Sequence, residues 1–166
     1  MVHLFQTNEN ARPEAKIFEQ KCKTILNAFE SENVPGNGFC LVSSVESITG
    51  IPLRHHLPVF AAKYQPELEG LIDLTNELDN PNNLSETWVS FLADELRCRF
   101  VIFTYQQEKR ASRTKDSYGT MEICGFHNKA FDETHYLLLK CGHYYPLFPQ
   151  NEFDLNDLRS GWCLSL

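Results

Sequence analysis

The sequence predicts an α+β domain, with helices packed around a small, mostly antiparallel sheet. Apolar residues recur at helical spacing through the first hundred positions, and β-rich runs crowd together between Arg99 and Phe148. A Cys141-Gly142 pair separates the last two of those runs, as a tight hairpin turn would. Helices first and strands after is the pattern of α+β folds rather than of alternating parallel ones. With 166 residues, 42% hydrophobic and 12% aromatic, the chain can bury a real core in one domain. Residues 1–12 read as a polar arm and 13–166 as a single domain.

Pro13 can open a helix whose apolar face carries Phe18, Cys22, Ile25, Leu26 and Phe29. Pro35, Gly36, Asn37 and Gly38 then form a turn, because two close glycines permit positive φ without a steric cost. Cys40 follows, opening a helix marked by Leu41, Val45 and Ile48 and stopped by Gly50 and Pro52. Residues 53–78 read as helical pieces broken by Pro58 and Pro66, with His55 and His56 at or near the surface. As neighbours they would project about 100° apart on a helix, which disfavours a shared metal.

Residues 79–84 form a loop, and Asn83 with Glu86 has the spacing of a capping box. Trp88, Phe91, Leu92 and Leu96 stripe one face of the helix that follows, as core packing requires. Arg99 to Tyr105 reads as a strand buried on both faces. Residues 106–118 are polar and locally basic, a hairpin-type loop. Strands are expected at Thr120 to Cys124, His135 to Lys140 and His143 to Phe148. The tail, with Phe153, Leu155, Leu158 and Trp162, is expected to pack back as a short helix.

The net charge of −7 argues against general nucleic-acid binding, which needs basic surface to neutralise phosphates. It suits a basic partner or peptide. Six cysteines without tight framework spacing, in a chain that opens without a signal peptide, predict free thiols and a cytosolic setting. The cytosol of another cell, reached by a secreted effector, would select the same features. No apolar run approaches the roughly 18 residues of a membrane span, so no membrane partner is expected, and the chain is expected to be a monomer.

Chemistry concentrates at two positions. Cys40 sits where a turn becomes a helix, a place where free N–H groups and the helix dipole favour negative charge. A small buried core cysteine is the competing reading. His143 opens a strand directly after Gly142, well placed to face a helix terminus across a cleft. In a Cys–His pair the imidazole takes the thiol proton and later protonates the leaving group. His135-Tyr136 repeats the His143-Tyr144 dipeptide and competes for the same role. A zinc site from Cys124, His127, His135, Cys141 and His143 is the metal alternative, since Cys-x-x-His is a permissible ligand spacing. No cofactor or metal is otherwise expected.

Taken together, Asn37-Gly38-Phe39-Cys40-Leu41, the Trp88 helix running into an aliphatic strand, and His143-Tyr144 after a hairpin resemble the ovarian-tumour (OTU) family of cysteine deubiquitinases. The resemblance spans roughly residues 20–148 and implies a papain-like α+β fold of OTU type. It also implies thiol-dependent hydrolysis of isopeptide bonds after the C-terminal glycine of ubiquitin or a ubiquitin-like protein, with ubiquitin or polyubiquitin as partner. On that pattern Cys40 is the nucleophile and His143 the base, while Gly38, Phe39 and Tyr144 line the oxyanion and substrate site. The family's Asp-Gly-Asn-Cys-Leu motif is altered here, Asn37 standing for its aspartate and Phe39 for its asparagine. Tyr145 occupies the place of the acid or amide that many members carry two residues after the histidine. Asn37 is the first candidate for orienting the imidazole, with Glu32, Asn33 or no third residue as alternatives. A non-catalytic module that keeps the fold and binds ubiquitin or another protein is the rival reading.

Overall fold

The computed structural model describes residues 27–70, 72–80, 84–107, 119–127, 130–150 and 164–165, with backbone alone at 106–107, 119–127 and 164–165. The chain enters as strand β1 (Phe29–Ser31), turns through residues 32–39, and forms helix α1 (Cys40–Thr49). Three short helical pieces follow: a 3-10 turn (Arg54–His56), α2 (Leu57–Tyr64) and a second 3-10 turn (Gln65–Leu68). Helices α3 (Leu74–Asp79) and α4 (Thr87–Leu96) then lead into β2 (Arg99–Gln107) and β3 (Gly119–His127). Strands β4 (Thr134–Lys140), β5 (His143–Pro149) and β6 (Leu164–Ser165) complete a sheet ordered β1-β5-β4-β2-β3-β6.

The sheet is mostly antiparallel, as expected; β2 with β4 is its parallel pair. Leu137 of β4 faces Ile102 of β2 in that pairing, and Leu139 faces Tyr144 of β5. Side chains alternate across a strand, so these residues share one face. On that face Phe100, Ile102, Leu137 and Tyr144 join Leu41, Val45, Trp88 and Leu92 of the helices in one core. Burying each large side chain of this kind contributes about 1.5–3 kcal/mol. On the opposite face Phe29, Phe103 and Tyr136 form an aromatic cluster, with ring centroids 5.1–6.3 Å apart. Strand β2 is therefore buried on both sides, from Phe100 through Phe103.

Helix α1 ends where the sequence places it: Gly50 is the C-cap at φ 72°. Cys141 and Gly142 both take positive φ, 51° and 76°, between Lys140 and His143, which are paired. That is the geometry of a two-residue type I′ hairpin. Trp88, Phe91 and Leu92 are buried, and Leu96 packs against the same core.

Some local expectations need correction. Phe29 lies on a strand, not a helix face, because residues 29–31 pair with Pro149, Phe148 and Leu147 of β5. Pro58 and Pro66 open helical segments rather than break them, each within the first turn, where a missing N–H costs nothing. The N-cap of α4 is Glu86, without a side-chain capping bond, and Asn83 lies outside the described residues. The Trp88 indole instead donates to Glu77 Oε2 at 2.7 Å, tying α4 to α3. At the end of the tail, Leu164–Ser165 pairs as a strand with β3. The Pro13 helix, residues 108–118 and the rest of the tail lie outside the described residues.

Candidate active site

The turn before α1 is built from its own side chains. Gly38 takes φ 86°, a left-handed conformation that Gly36 does not share. Asn37 Oδ1 accepts from the Phe39 N–H at 3.2 Å, closing the turn as an Asx motif. The Phe39 carbonyl accepts from Ser43 N at 2.8 Å, the first helical bond. Gly38 O accepts from Leu84 N at 3.4 Å, which joins the turn to the segment entering α4. Above the turn, the Arg54 guanidinium stands 4.1 Å from the centre of the Phe39 ring. Glu46 Oε2 holds the backbone of that arginine's loop, accepting from Leu53 N and Arg54 N at 2.7 and 3.4 Å.

Cys40 is therefore the first residue of a helix, behind a left-handed glycine. The thiol is buried, at 1% exposure, and unpaired with any other cysteine. Cys98 and Cys141 are also free thiols. At Cys98 burial, reinforced by the nearby Glu133 charge, pushes the thiol up to about 12.

Three contacts fix how α1 lies along β5. Glu32, just beyond β1, accepts from Ser47 Oγ at 2.9 Å, and its neighbour Ser31 donates to the Pro146 carbonyl at 2.8 Å. Further toward the hairpin, Ser44 Oγ donates to the Tyr144 carbonyl at 3.2 Å. The helix thus runs with its N-terminus toward His143. Cys40 lies one turn beyond Ser44, about 6 Å along the helix, and His143 lies one residue, about 3.4 Å, beyond Tyr144 along the strand.

Alternation decides which side chain of β5 meets the helices. Tyr144 enters the helix-side core, 4% exposed. Its phenol is pushed up by burial, with Glu86 and Cys40 nearby adding to the effect. His143 and Tyr145 share the other face, their rings 4.7 Å apart and edge to face. No hydrogen bond joins Cys40 to His143 among the described residues. Asn37, the candidate for orienting the imidazole, is exposed and spends an oxygen lone pair on Phe39. Glu32, the first alternative, is engaged by Ser47.

His135 sits elsewhere. It pairs in register with Phe100, lies 5.9 Å from that ring, and approaches Glu133 at 3.4 Å. Five residues of β4 separate it from Lys140, the partner of His143, so it stands roughly 17 Å from the hairpin end. The five-residue zinc alternative is divided by the same register: His127 and His135 flank Phe100, whereas Cys141 and His143 lie at the hairpin. No cluster of three or more His, Cys, Asp or Glu that could hold a metal occurs among the described residues. His55 and His56 are exposed, the latter stacked on Phe60 with centroids 6.0 Å apart. No described helix is long and apolar enough to cross a membrane.

Sequence reasoning missed Ser44, Arg54 and Glu86. Ser44 alone carried a signal, since it follows Cys40 by four positions and shares its helix face.

No family model matches the sequence, and no curated protein does. Solved structures do match the fold. The OTU domain of OTUD1 superposes with a TM-score of 0.54 at 16% identity, over 81% of this chain and 95% of that one. The viral OTU domain protease from Dera Ghazi Khan virus gives 0.50 at 19%, over 76% and 85%. An OTU deubiquitinase from Wolbachia pipientis wMel, solved bound to ubiquitin, gives 0.50 at 15%, over 76% and 99%. With its helix-flanked mixed sheet, and with Cys40 and His143 on the elements described above, the chain has the α+β, papain-like fold of an OTU domain.

Proposed function

We propose that this protein is a thiol-dependent deubiquitinase, cleaving isopeptide bonds after the C-terminal glycine of ubiquitin or a ubiquitin-like protein. The observation that carries the reading is the run of α1 along β5, which points a helix-tip cysteine toward the strand end that His143 opens. The OTU fold, and a neighbour of that fold solved with ubiquitin, support the substrate class.

In this mechanism the Cys40 sulfur attacks the carbonyl carbon while the His143 imidazole takes its proton. The carbonyl oxygen becomes an oxyanion, for which the N–H groups of Gly38 and Cys40 are the donors; the Phe39 N–H is already held by Asn37. Collapse breaks the C–N bond, the imidazolium protonates the departing amine, and the acyl group remains as a thioester. Water, deprotonated by His143, then hydrolyses that thioester and releases the thiol. In this reading Phe39 and Tyr144 flank the path of the substrate's C-terminal glycine. Asn37 keeps the turn closed and has a second oxygen lone pair for the imidazole.

The burial of Cys40 and the absence of a Cys40–His143 hydrogen bond among the described residues favour a second reading, an inactive OTU-fold module that binds ubiquitin. Ubiquitin bearing an electrophilic C-terminus separates the two. The first reading expects a covalent adduct that Cys40→Ala and His143→Ala abolish and His135→Ala preserves. Folded protein that binds the probe without forming an adduct would establish the second.

A further inference from the structure

We propose that Ser44 is the positioning residue that sets the register between the nucleophile's helix and the strand carrying the base, an inference that rests on the function proposed above. Strand β1 pairs with β5 at residues 147–149, so among the described residues the outer edge of β5 at residues 143–146 has no strand beside it. Backbone groups left at such an edge must find other partners. Two consecutive outward carbonyls find serine hydroxyls: Pro146 O takes Ser31 Oγ at 2.8 Å and Tyr144 O takes Ser44 Oγ at 3.2 Å. Pro146 itself brings no N–H that would need a partner there.

The two hydroxyls look alike and connect different things. Ser31 lies on β1 and ties one strand to its neighbour. Ser44 is fully buried, sits one helical turn after Cys40, and bonds the carbonyl of the residue next to His143. Among the described residues it is the hydrogen bond that crosses from the thiol's helix to the imidazole's strand. Both reacting groups are at element ends, where a small slide of α1 along β5 changes their separation directly.

The paired variants Ser31→Ala and Ser44→Ala test this in the full chain. Each deletes one hydroxyl-to-carbonyl bond to β5, so both lower the denaturation midpoint to a similar degree. Only Ser44→Ala is expected to lower kcat on a ubiquitin-amide reporter, by roughly tenfold to a hundredfold, with KM unchanged. A second readout needs no ubiquitin: the pH profile of Cys40 alkylation by iodoacetamide, resolved by peptide mass spectrometry. Ser44→Ala should change that profile, and Ser31→Ala should not. If wild type fails to process ubiquitin, the functional reading fails while the alkylation profile still judges Ser44. Equal effects of the two variants on kcat and on the alkylation profile, or no effect of Ser44→Ala on either, would overturn the proposal. If Ser44→Ala does not fold, Ser44→Thr retains the hydroxyl and should keep the wild-type profile; a shifted profile in folded Ser44→Thr counts against it.

Discussion

The chain carries His-Tyr twice, on adjacent strands, and the sheet treats the two copies in opposite ways. In β4 the histidine shares the helix-side face with Leu137, while Tyr136 joins Phe29 and Phe103 behind the sheet. In β5 the order inverts: Tyr144 enters the helix-side core, and His143 lies with Tyr145 on the other face. The copies also occupy opposite ends, because an antiparallel hairpin places the start of one strand beside the end of the other. A dipeptide therefore says little about a site until register and strand direction are known.

The sharpest break between the two copies is catalytic. His143→Ala is expected to lower turnover by about 10²–10⁴, the usual worth of a positioned acid–base group, and Cys40→Ala to abolish it. His135→Ala should leave kcat/KM within about twofold, since surroundings this distant from the chemistry contribute little. Steady-state kinetics on a ubiquitin-amide reporter provides all three values. The turn offers a second contrast of like residues. Gly38→Ala forces a side chain into φ 86° and should cost about 1–2 kcal/mol as well as activity. Gly36→Ala meets open space, so its denaturation midpoint should match wild type.

At the hairpin, Cys141 holds φ 51° without being glycine, so Cys141→Gly should stabilise the fold by up to about 1 kcal/mol in chemical denaturation. The smallest effect belongs to His135. Burial holds its pKa below the usual histidine value, against a weaker opposing pull from Glu133. A histidine depressed in the folded state contributes stability above its unfolded pKa and loses it as pH falls from about 6.5 toward the folded value. A shallow fall in denaturation midpoint between pH 7.5 and 5.5 is expected, reduced in His135→Gln.

What the sequence revealed was mainly local. The Gly38 turn, the Gly50 stop, the Trp88 stripe and the Cys141-Gly142 hairpin each rest on residues within a few positions of one another. The parallel pairing of β2 with β4 was not legible, because it joins segments with an intervening strand and has no local signature. Strand β1 was misread for the same reason: Phe29 fits a helical face by spacing, and only β5, more than a hundred residues later, makes it a strand. At the site, both candidate chemical residues were legible as types, but the face each presents was not. Ser44 went unnoticed because its importance lies in a carbonyl across the core.

The proposed mechanism requires the Cys40 sulfur of α1 and the His143 imidazole of β5 to meet at the hairpin end of the sheet. A crystal structure of the adduct with C-terminally electrophilic ubiquitin tests it most directly. The acylated sulfur of Cys40 and the ring of His143 are expected within hydrogen-bonding reach of the same reacting atoms, with His135 roughly 17 Å from the hairpin end. An adduct on another cysteine, or a His143 ring outside hydrogen-bonding reach of the reacting atoms while Cys40 is modified, would contradict it.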